Sequence, residues 1–87
     1  MIAGKTSTGF EYEVDLGFTD DWEIVELFKR QYDGDEFAYV ELYPRILGAE
    51  QFNKLKEHAR NAEGRIQTSV INDVMQEIFE AAKSIKK

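Results

Sequence analysis

The chain has no cysteine and only one histidine among its 87 residues. The absence of cysteine excludes disulfide bonds and thiolate metal sites, and His58 has no second histidine with which to form a metal site. No apolar run approaches the ~20 residues of a membrane-spanning helix, and the first residues lack the basic and apolar regions of a signal peptide. We therefore expect a soluble, cytoplasmic protein that uses no cofactor and binds no membrane.

Apolar residues are abundant despite these absences. With 43% hydrophobic and 13% aromatic residues, the chain is too apolar for the disordered class and is expected to fold. A chain of this length forms one small domain, which buries roughly 60–65% of the surface that the unfolded chain exposes. No linker or repeat divides the sequence, so we expect a single domain over residues 1–87.

The N-terminal part of the chain has the pattern of a strand. Residues 10–14 alternate apolar and polar side chains, which is typical of a half-buried strand. Thr8 and Gly9 precede this segment and favour a turn, so that residues 2–6 would form the other strand of a hairpin. The sequence therefore predicts either a strand or a hairpin at the start of the chain.

Two helices are predicted in the middle of the chain. The first runs from about Asp20 to Tyr32, with Thr19 or Asp20 as its N-cap. The second begins near Glu36, with Asp35 as its cap. Pro44 removes a helical donor, so the second element is either kinked or divided into two short helices. The apolar residues that recur at helical spacing in these two elements are Ile24, Leu27, Phe28, Tyr32, Tyr39, Leu42, Tyr43, Ile46 and Leu47.

Two more helices are predicted in the C-terminal part. The third follows Gly48 and ends at Glu63 and Gly64, and Thr68 or Ser69 caps the fourth. The fourth has the strongest amphipathic pattern, carried by Ile71, Val74, Met75, Ile78, Phe79, Ala82 and Ile85. The predicted fold class is mostly α: a strand or hairpin and loop over residues 1–18, and a small bundle of about four helices over residues 19–87.

Charge is distributed unevenly along the chain. Residues 1–44 carry eleven acidic and three basic side chains, a net charge of −8, whereas residues 45–87 carry six acidic and eight basic ones, a net charge of +2. The acidic half repels nucleic acid. The two halves either pack together within one molecule or associate between copies in a homo-oligomer.

No residue pattern assembles a catalytic or metal site. Residues 4–6 (Gly-Lys-Thr) resemble the end of a phosphate-binding loop but lack the glycine five residues earlier. Residues 33–36 resemble part of a calcium loop, but Pro44 stands where the bidentate glutamate would be. No pair of carboxylates can be assigned as acid and base. We expect a protein that is not an enzyme.

Large aromatic rings are concentrated between residues 22 and 43. Either all of them pack inside the small core, or some are exposed and bind a partner. Stacking platforms for single-stranded nucleic acid also use aromatic residues, but they need basic neighbours, and the neighbours here are acidic. The fourth helix either completes the core or lies partly against a partner helix. The predicted partner-binding residues are Trp22, Phe28, Tyr32, Tyr39, Tyr43, Met75, Phe79 and Ile85.

The order of motifs along the chain resembles that of a known family. The motifs are residues 9–15 (Gly-Phe-Glu-Tyr-Glu-Val-Asp), 20–23 (Asp-Asp-Trp-Glu) and 46–48 (Ile-Leu-Gly), then Gln51, Leu55 and His58, then residues 63–65 (Glu-Gly-Arg) and a closing amphipathic helix. This order resembles the small tail assembly chaperones of long-tailed phages and Gram-positive prophages, and it spans nearly the whole chain.

The resemblance implies a mostly helical, non-enzymatic protein in the cytoplasm of a bacterial host. Such a chaperone would coat the helical tape measure protein, keep it soluble and help it recruit the tail tube protein. Two other classes stay open. One is a structural subunit of a head-tail junction. The other is an acidic inhibitor or nucleic-acid mimic that occupies the basic groove of a host enzyme, with phosphates imitated by Asp20, Asp21, Asp33, Asp35 and Glu36.

Overall fold

The computed structural model describes the backbone of residues 2–85 and the side chains of residues 2–83. Over that range the chain forms a β-hairpin followed by four α-helices, with a short 3₁₀ helix between the hairpin and the first of them. The predicted fold class, a small mostly α bundle with an N-terminal hairpin, is confirmed.

The hairpin consists of two antiparallel strands, β1 (Ile2–Lys5) and β2 (Glu11–Val14). The register places Ile2 opposite Val14, and both side chains are buried against the helices. The connection turns at Gly9, whose φ of 93° is a conformation that glycine adopts without strain. The hairpin that the sequence offered as one of two possibilities is therefore present.

The first helix, α1 (Trp22–Tyr32), begins later than predicted. The predicted caps, Thr19 and Asp20, lie inside the 3₁₀ helix (Leu16–Asp20). The N-cap is instead Asp21, whose carboxylate accepts hydrogen bonds from the N–H groups of the second and third helical residues. Several acidic residues in a row could each cap a helix, and here the separate 3₁₀ turn decides which one does.

The second helix, α2 (Tyr39–Leu47), also begins after its predicted start. Asp35 does not cap it, because its carboxylate accepts the N–H of Phe37 in the preceding turn. A single helix runs through Pro44. The hydrogen bond that Pro44 cannot donate would have reached the carbonyl of Val40, which is an exposed residue whose carbonyl can bind water instead.

The third helix, α3 (Ala49–His58), ends well before the predicted stop at Glu63 and Gly64. Asn61 competes with helix continuation, since its side-chain oxygen accepts the backbone N–H of Glu63 and that of Arg65. Asparagine often satisfies nearby backbone groups in this way and thereby favours a turn. The result is a loop between α3 and the last helix.

The fourth helix, α4 (Thr68–Ile85), begins close to its predicted start and is the longest element, although the predicted caps, Thr68 and Ser69, are themselves helical residues. The side chains of Val74, Met75 and Ile78 are fully buried. They form the core with Ile71 and Ala82 of the same helix and with side chains of the hairpin, of the other three helices and of residues next to them, namely Ile2, Phe10, Val14, Ile24, Leu42, Tyr43, Ile46, Leu47, Leu55 and Ala59. Among the helices of residues 2–85, none is both long enough and apolar enough to cross a bilayer.

Candidate protein-binding surface

The helix α1 carries apolar side chains on two faces. Ile24 is buried, at 2% exposure, and packs into the core beside the partly buried Leu27. Four other apolar side chains of the helix are exposed to solvent: Trp22 (74%), Val25 (45%), Phe28 (41%) and Tyr32 (92%).

Helical geometry groups these exposed side chains. At 3.6 residues per turn, positions 22, 25, 28 and 32 fall within about one third of the helix circumference. Because a surface helix turns only one face toward the core, its second apolar stripe remains in water. Contiguous exposed apolar surface of this kind is typical of sites that bind other proteins.

Phe79 of α4 extends this stripe onto a second helix. Its ring meets Phe28 edge-on, with 5.8 Å between the ring centroids, and it lies 6.4 Å from Phe18 and 6.3 Å from Tyr43. Aromatic pairs at such distances and tilts stabilise one another beyond simple burial of area. We define the aromatic face as the surface of Trp22, Val25, Phe28, Tyr32 and Phe79.

Two hollows lie on either side of the contact between Phe28 and Phe79. One, with a volume of about 310 Å³, lies beside the 3₁₀ helix and is lined by Phe18 and Ala82. The other, with a volume of about 360 Å³, lies beside the end of α1 and is lined by Tyr32. Both hollows are open to solvent, so apolar side chains of a partner could enter them from outside.

The predicted partner-binding residues fall into separate environments. Trp22, Phe28 and Tyr32 are exposed and Phe79 is partly buried, and all four belong to the aromatic face. Tyr39 is partly buried and lies outside this face. The centroid of its ring lies 5.6 Å from that of Tyr43 in the same helix.

Tyr43 and Met75 lie inside the protein. Tyr43 is 8% exposed and donates its hydroxyl to Asn72 of α4 at 3.1 Å, and its burial raises the pKa of the phenol. Met75 has no exposed surface. Tyr43 therefore links α2 to α4 and lines the hollow beside Tyr32, whereas Met75 belongs to the core. The last predicted residue, Ile85, lies outside the described side chains.

Sequence reasoning did not include three exposed apolar residues. Val25 follows Trp22 by three positions, so helical spacing alone could have placed it on the same stripe. Phe37 (69% exposed) and Val40 (59%) lie in the turn before α2 and at the start of that helix. No sequence pattern there distinguishes an exposed apolar residue from a buried one.

Much of the acidic charge near α1 is paired within the chain. Arg30 contacts Asp35 and Glu41, each at 2.8 Å, and Arg45 of α2 contacts Glu23 and Asp21 of the α1 start. Hydrogen bonding from the guanidinium of Arg30 holds the pKa of the Asp35 carboxyl below its usual range. These pairs link α1 to α2 and to the turn between the two helices.

His58 and the carboxylates do not assemble a metal site. The Nε2 atom of His58 lies 3.1 Å from Oγ1 of Thr8. The centroid of the His58 ring lies 5.5 Å from that of the Phe10 ring, so the imidazole contacts the hairpin. Within the described residues, no group of three or more histidine, aspartate or glutamate side chains is placed to hold a metal ion.

Comparison with known proteins gives no relative. The chain matches no protein-family model, no curated protein and no solved structure.

Proposed function

We propose that this protein is a non-enzymatic assembly chaperone that binds a helical client through the aromatic face. The observation that carries this proposal is the exposure of Trp22 and Tyr32, at 74% and 92%. Both rings project from a helix whose other apolar face already packs into the core, so folding alone does not explain them. Tryptophan and tyrosine contribute a large part of the binding free energy in many protein interfaces.

The form of the aromatic face suits a helix as its ligand. The exposed stripe runs along the 11 residues of α1, and two of its residues, Phe28 and Tyr32, also line the hollows. An amphipathic helix lying on this surface would place apolar side chains from successive turns into the hollows. This is the helix-in-groove mode of recognition, in which anchors recur every three or four residues.

The proposed client is the tape measure protein of a long-tailed phage or prophage, with the tail tube protein as a second partner. The support for this choice is the motif order of residues 9–15, 20–23 and 46–48, which resembles the tail assembly chaperones. A long helical client exposes apolar stripes before assembly. The net charge of −6 of this chain would keep coated clients apart by repulsion.

An acidic inhibitor or nucleic-acid mimic receives less support. That function needs carboxylates free to meet basic groups of an enzyme. Of the five acids that the sequence nominates, Asp21, Asp33 and Asp35 each form an ion pair with a basic side chain of the same chain. Among the described side chains, Asp20 and Glu36 form no such pair. The exposed surface that stands out is therefore apolar rather than acidic.

Co-expression with the tape measure protein of the same genome tests the proposal. We expect the client to become soluble and to co-elute with the unmodified protein, and to do so much less with the double variant Trp22→Ala/Tyr32→Ala. Phe37→Ala is the matched control, because it removes an exposed aromatic ring outside the aromatic face and should leave co-elution unchanged.

Each alternative gives a different result in the same experiment. A client that precipitates with all variants contradicts the chaperone function. Binding that high salt abolishes favours the acidic mimic, because salt screens exposed charges and has little effect on apolar contacts. A stable ring of this chain alone, formed without the client, favours the head-tail junction subunit.

A further inference from the structure

One edge of the hairpin is covered at Glu13 by a side chain. The carboxamide of Gln51 in α3 pairs with both backbone groups of Glu13: Oε1 accepts the N–H at 2.7 Å, and Nε2 donates to the carbonyl at 2.9 Å. The amide group thus occupies the place of a further strand beside β2. Covering a strand edge in this way prevents another chain from pairing there.

The pairing of Glu13 also fixes the direction of the backbone groups in β1. In an antiparallel pair, residues alternate between those that bond to the partner strand and those whose N–H and C=O point away from it. The backbone N–H and C=O of Glu13 point away from β1, toward Gln51. The backbone N–H and C=O of Ala3, its cross-strand partner, therefore point away from β2. Lys5, two positions further along, does the same.

The outer edge of β1 is therefore open. Ala3, Gly4 and Lys5 are all exposed. Within the described part of the chain, the N–H and C=O groups of Ala3 and Lys5 have no hydrogen-bond partner. This edge differs from that of β2, where Gln51 occupies the backbone groups of Glu13, and it offers two pairs of backbone groups to an added strand.

We propose that the β1 edge binds the β1 edge of a second copy of this chain, so that two hairpins form one four-stranded antiparallel sheet. The free groups are self-complementary about a twofold axis through Gly4. In that register Ala3 faces Lys5 of the second copy, and each of these two pairs exchanges two hydrogen bonds. All four outward N–H groups and all four outward carbonyls of the two edges are then satisfied.

Charge on the exposed face of the hairpin fits this register. Within one chain Lys5 lies opposite Glu11, and Ala3 lies opposite Glu13. Across the joined sheet, each Lys5 would stand between its own Glu11 and Glu13 of the second copy, with only an alanine intervening. Opposite charges on neighbouring strands stabilise a sheet, and this arrangement places no like charges directly opposite each other.

On the other face of the edge, Gly4 lies beneath the ring of Tyr12. The Tyr12 ring lies over Gly4 so closely that a Cβ on Gly4 would stand 2.7 Å from the tyrosine hydroxyl oxygen. In the joined sheet the two Gly4 residues would face each other, and the two Tyr12 hydroxyls would meet above them. Glycine at this position allows the close approach of the rings and of the two backbones.

The variant Ala3→Pro tests this pairing without altering the hairpin itself. Proline removes only the outward N–H of residue 3, and its φ is compatible with an edge strand. Ala3→Val is the matched control, because it keeps the N–H and favours a strand. Sedimentation equilibrium of the unmodified protein over a wide range of concentrations is expected to give a monomer–dimer equilibrium, which Ala3→Val retains.

Ala3→Pro removes two of the four intermolecular hydrogen bonds. The dissociation constant of the dimer should therefore rise about thirty-fold. A protein that stays monomeric at every concentration overturns the proposal and leaves a strand of a different protein as the candidate for this edge. A dimer that Ala3→Pro does not weaken also overturns it, since the interface would then lie elsewhere.

Amide hydrogen exchange gives a second readout that needs no variant. With increasing protein concentration, exchange at Ala3 and Lys5 should slow, whereas the amide of Gly4, which points toward β2, should change little. Exchange at Ala3 and Lys5 that stays fast at concentrations where the dimer is present would contradict pairing through β1. This inference is independent of the proposed chaperone function, because the aromatic face takes no part in it.

Discussion

The carboxylate of Glu77 in α4 accepts two hydrogen bonds from Ser7 at the tip of the hairpin, one from its backbone N–H at 2.9 Å and one from its hydroxyl at 2.7 Å. Seventy residues separate the two in sequence. Together with the contact of His58 to Thr8, this interaction attaches the hairpin turn to the helical part of the protein.

Glu77→Gln should reduce stability in a pH-dependent manner. The hydrogen bonds from Ser7 lower the pKa of Glu77 in the folded protein. The interaction therefore stabilises the fold above the ordinary glutamate pKa of about 4.3 and is lost as the pH falls through the lower folded-state value. The free energy of unfolding, measured in urea, should differ most between the unmodified protein and Glu77→Gln at neutral pH. In acid the two values should become equal.

Glu80→Gln is the control for this prediction, because Glu80 lies on the same helix but lines the hollow beside Phe28 instead of contacting the hairpin. At neutral pH this substitution of an exposed residue should change the free energy of unfolding by no more than about 0.5 kcal/mol. The free energies of unfolding of the unmodified protein and Glu77→Gln could instead differ by the same amount at every pH. That result would show that the contact to Ser7 does not depend on the charge of Glu77.

Gln51→Ala should lower the free energy of unfolding by about 1–3 kcal/mol. The side chain makes three hydrogen bonds, two to Glu13 and one to the carbonyl of Leu47, and each contributes roughly 0.5–1.5 kcal/mol before compensation by water. Asn53→Ala removes an exposed amide from the same helix and should stay within about 0.5 kcal/mol of the unmodified protein. Equal effects of the two substitutions in chemical denaturation would contradict a specific role for Gln51.

Met75 should matter for folding and not for binding a client. Because its side chain is fully buried, Met75→Ala is expected to cost about 2–5 kcal/mol of unfolding free energy, whereas the volume-conserving Met75→Leu should cost less than about 1.5 kcal/mol. Met75→Leu should also bind a client as tightly as the unmodified protein does. A loss of client binding in Met75→Leu, with the fold intact by circular dichroism, would show that this side chain contacts the client.

The hairpin and α4 could be predicted from the sequence because their signals are local. Alternation around Tyr12 and the helical period from Ile71 to Ala82 need no knowledge of distant residues. The start of α1 and the end of α3 could not be placed correctly. At these positions several residues compete for the same backbone groups, and the side chains of Asp21 and Asn61 prevail through local hydrogen bonds.

The candidate surface was only partly predictable for a different reason. Helical periodicity shows which residues share a face, but not which of two apolar faces meets the core. Tyr32 and Tyr43 both recur at helical spacing with other apolar residues, yet Tyr43 packs against α4 and bonds to Asn72, whereas Tyr32 is almost fully exposed. The sequence therefore grouped the aromatic and apolar residues of these helices without separating the exposed from the buried.

Trp22 allows a direct measurement of binding at the aromatic face, because it is the only tryptophan in the chain and it is 74% exposed. Helical segments of the tape measure protein that lack tryptophan can be titrated into the protein while its emission spectrum is recorded. We expect a saturable blue shift as the ring leaves water, and binding weakened by about 1–2 kcal/mol in Tyr32→Ala. A client that binds while the emission of Trp22 stays unchanged, or binding that Tyr32→Ala does not weaken, would contradict the proposed use of the aromatic face.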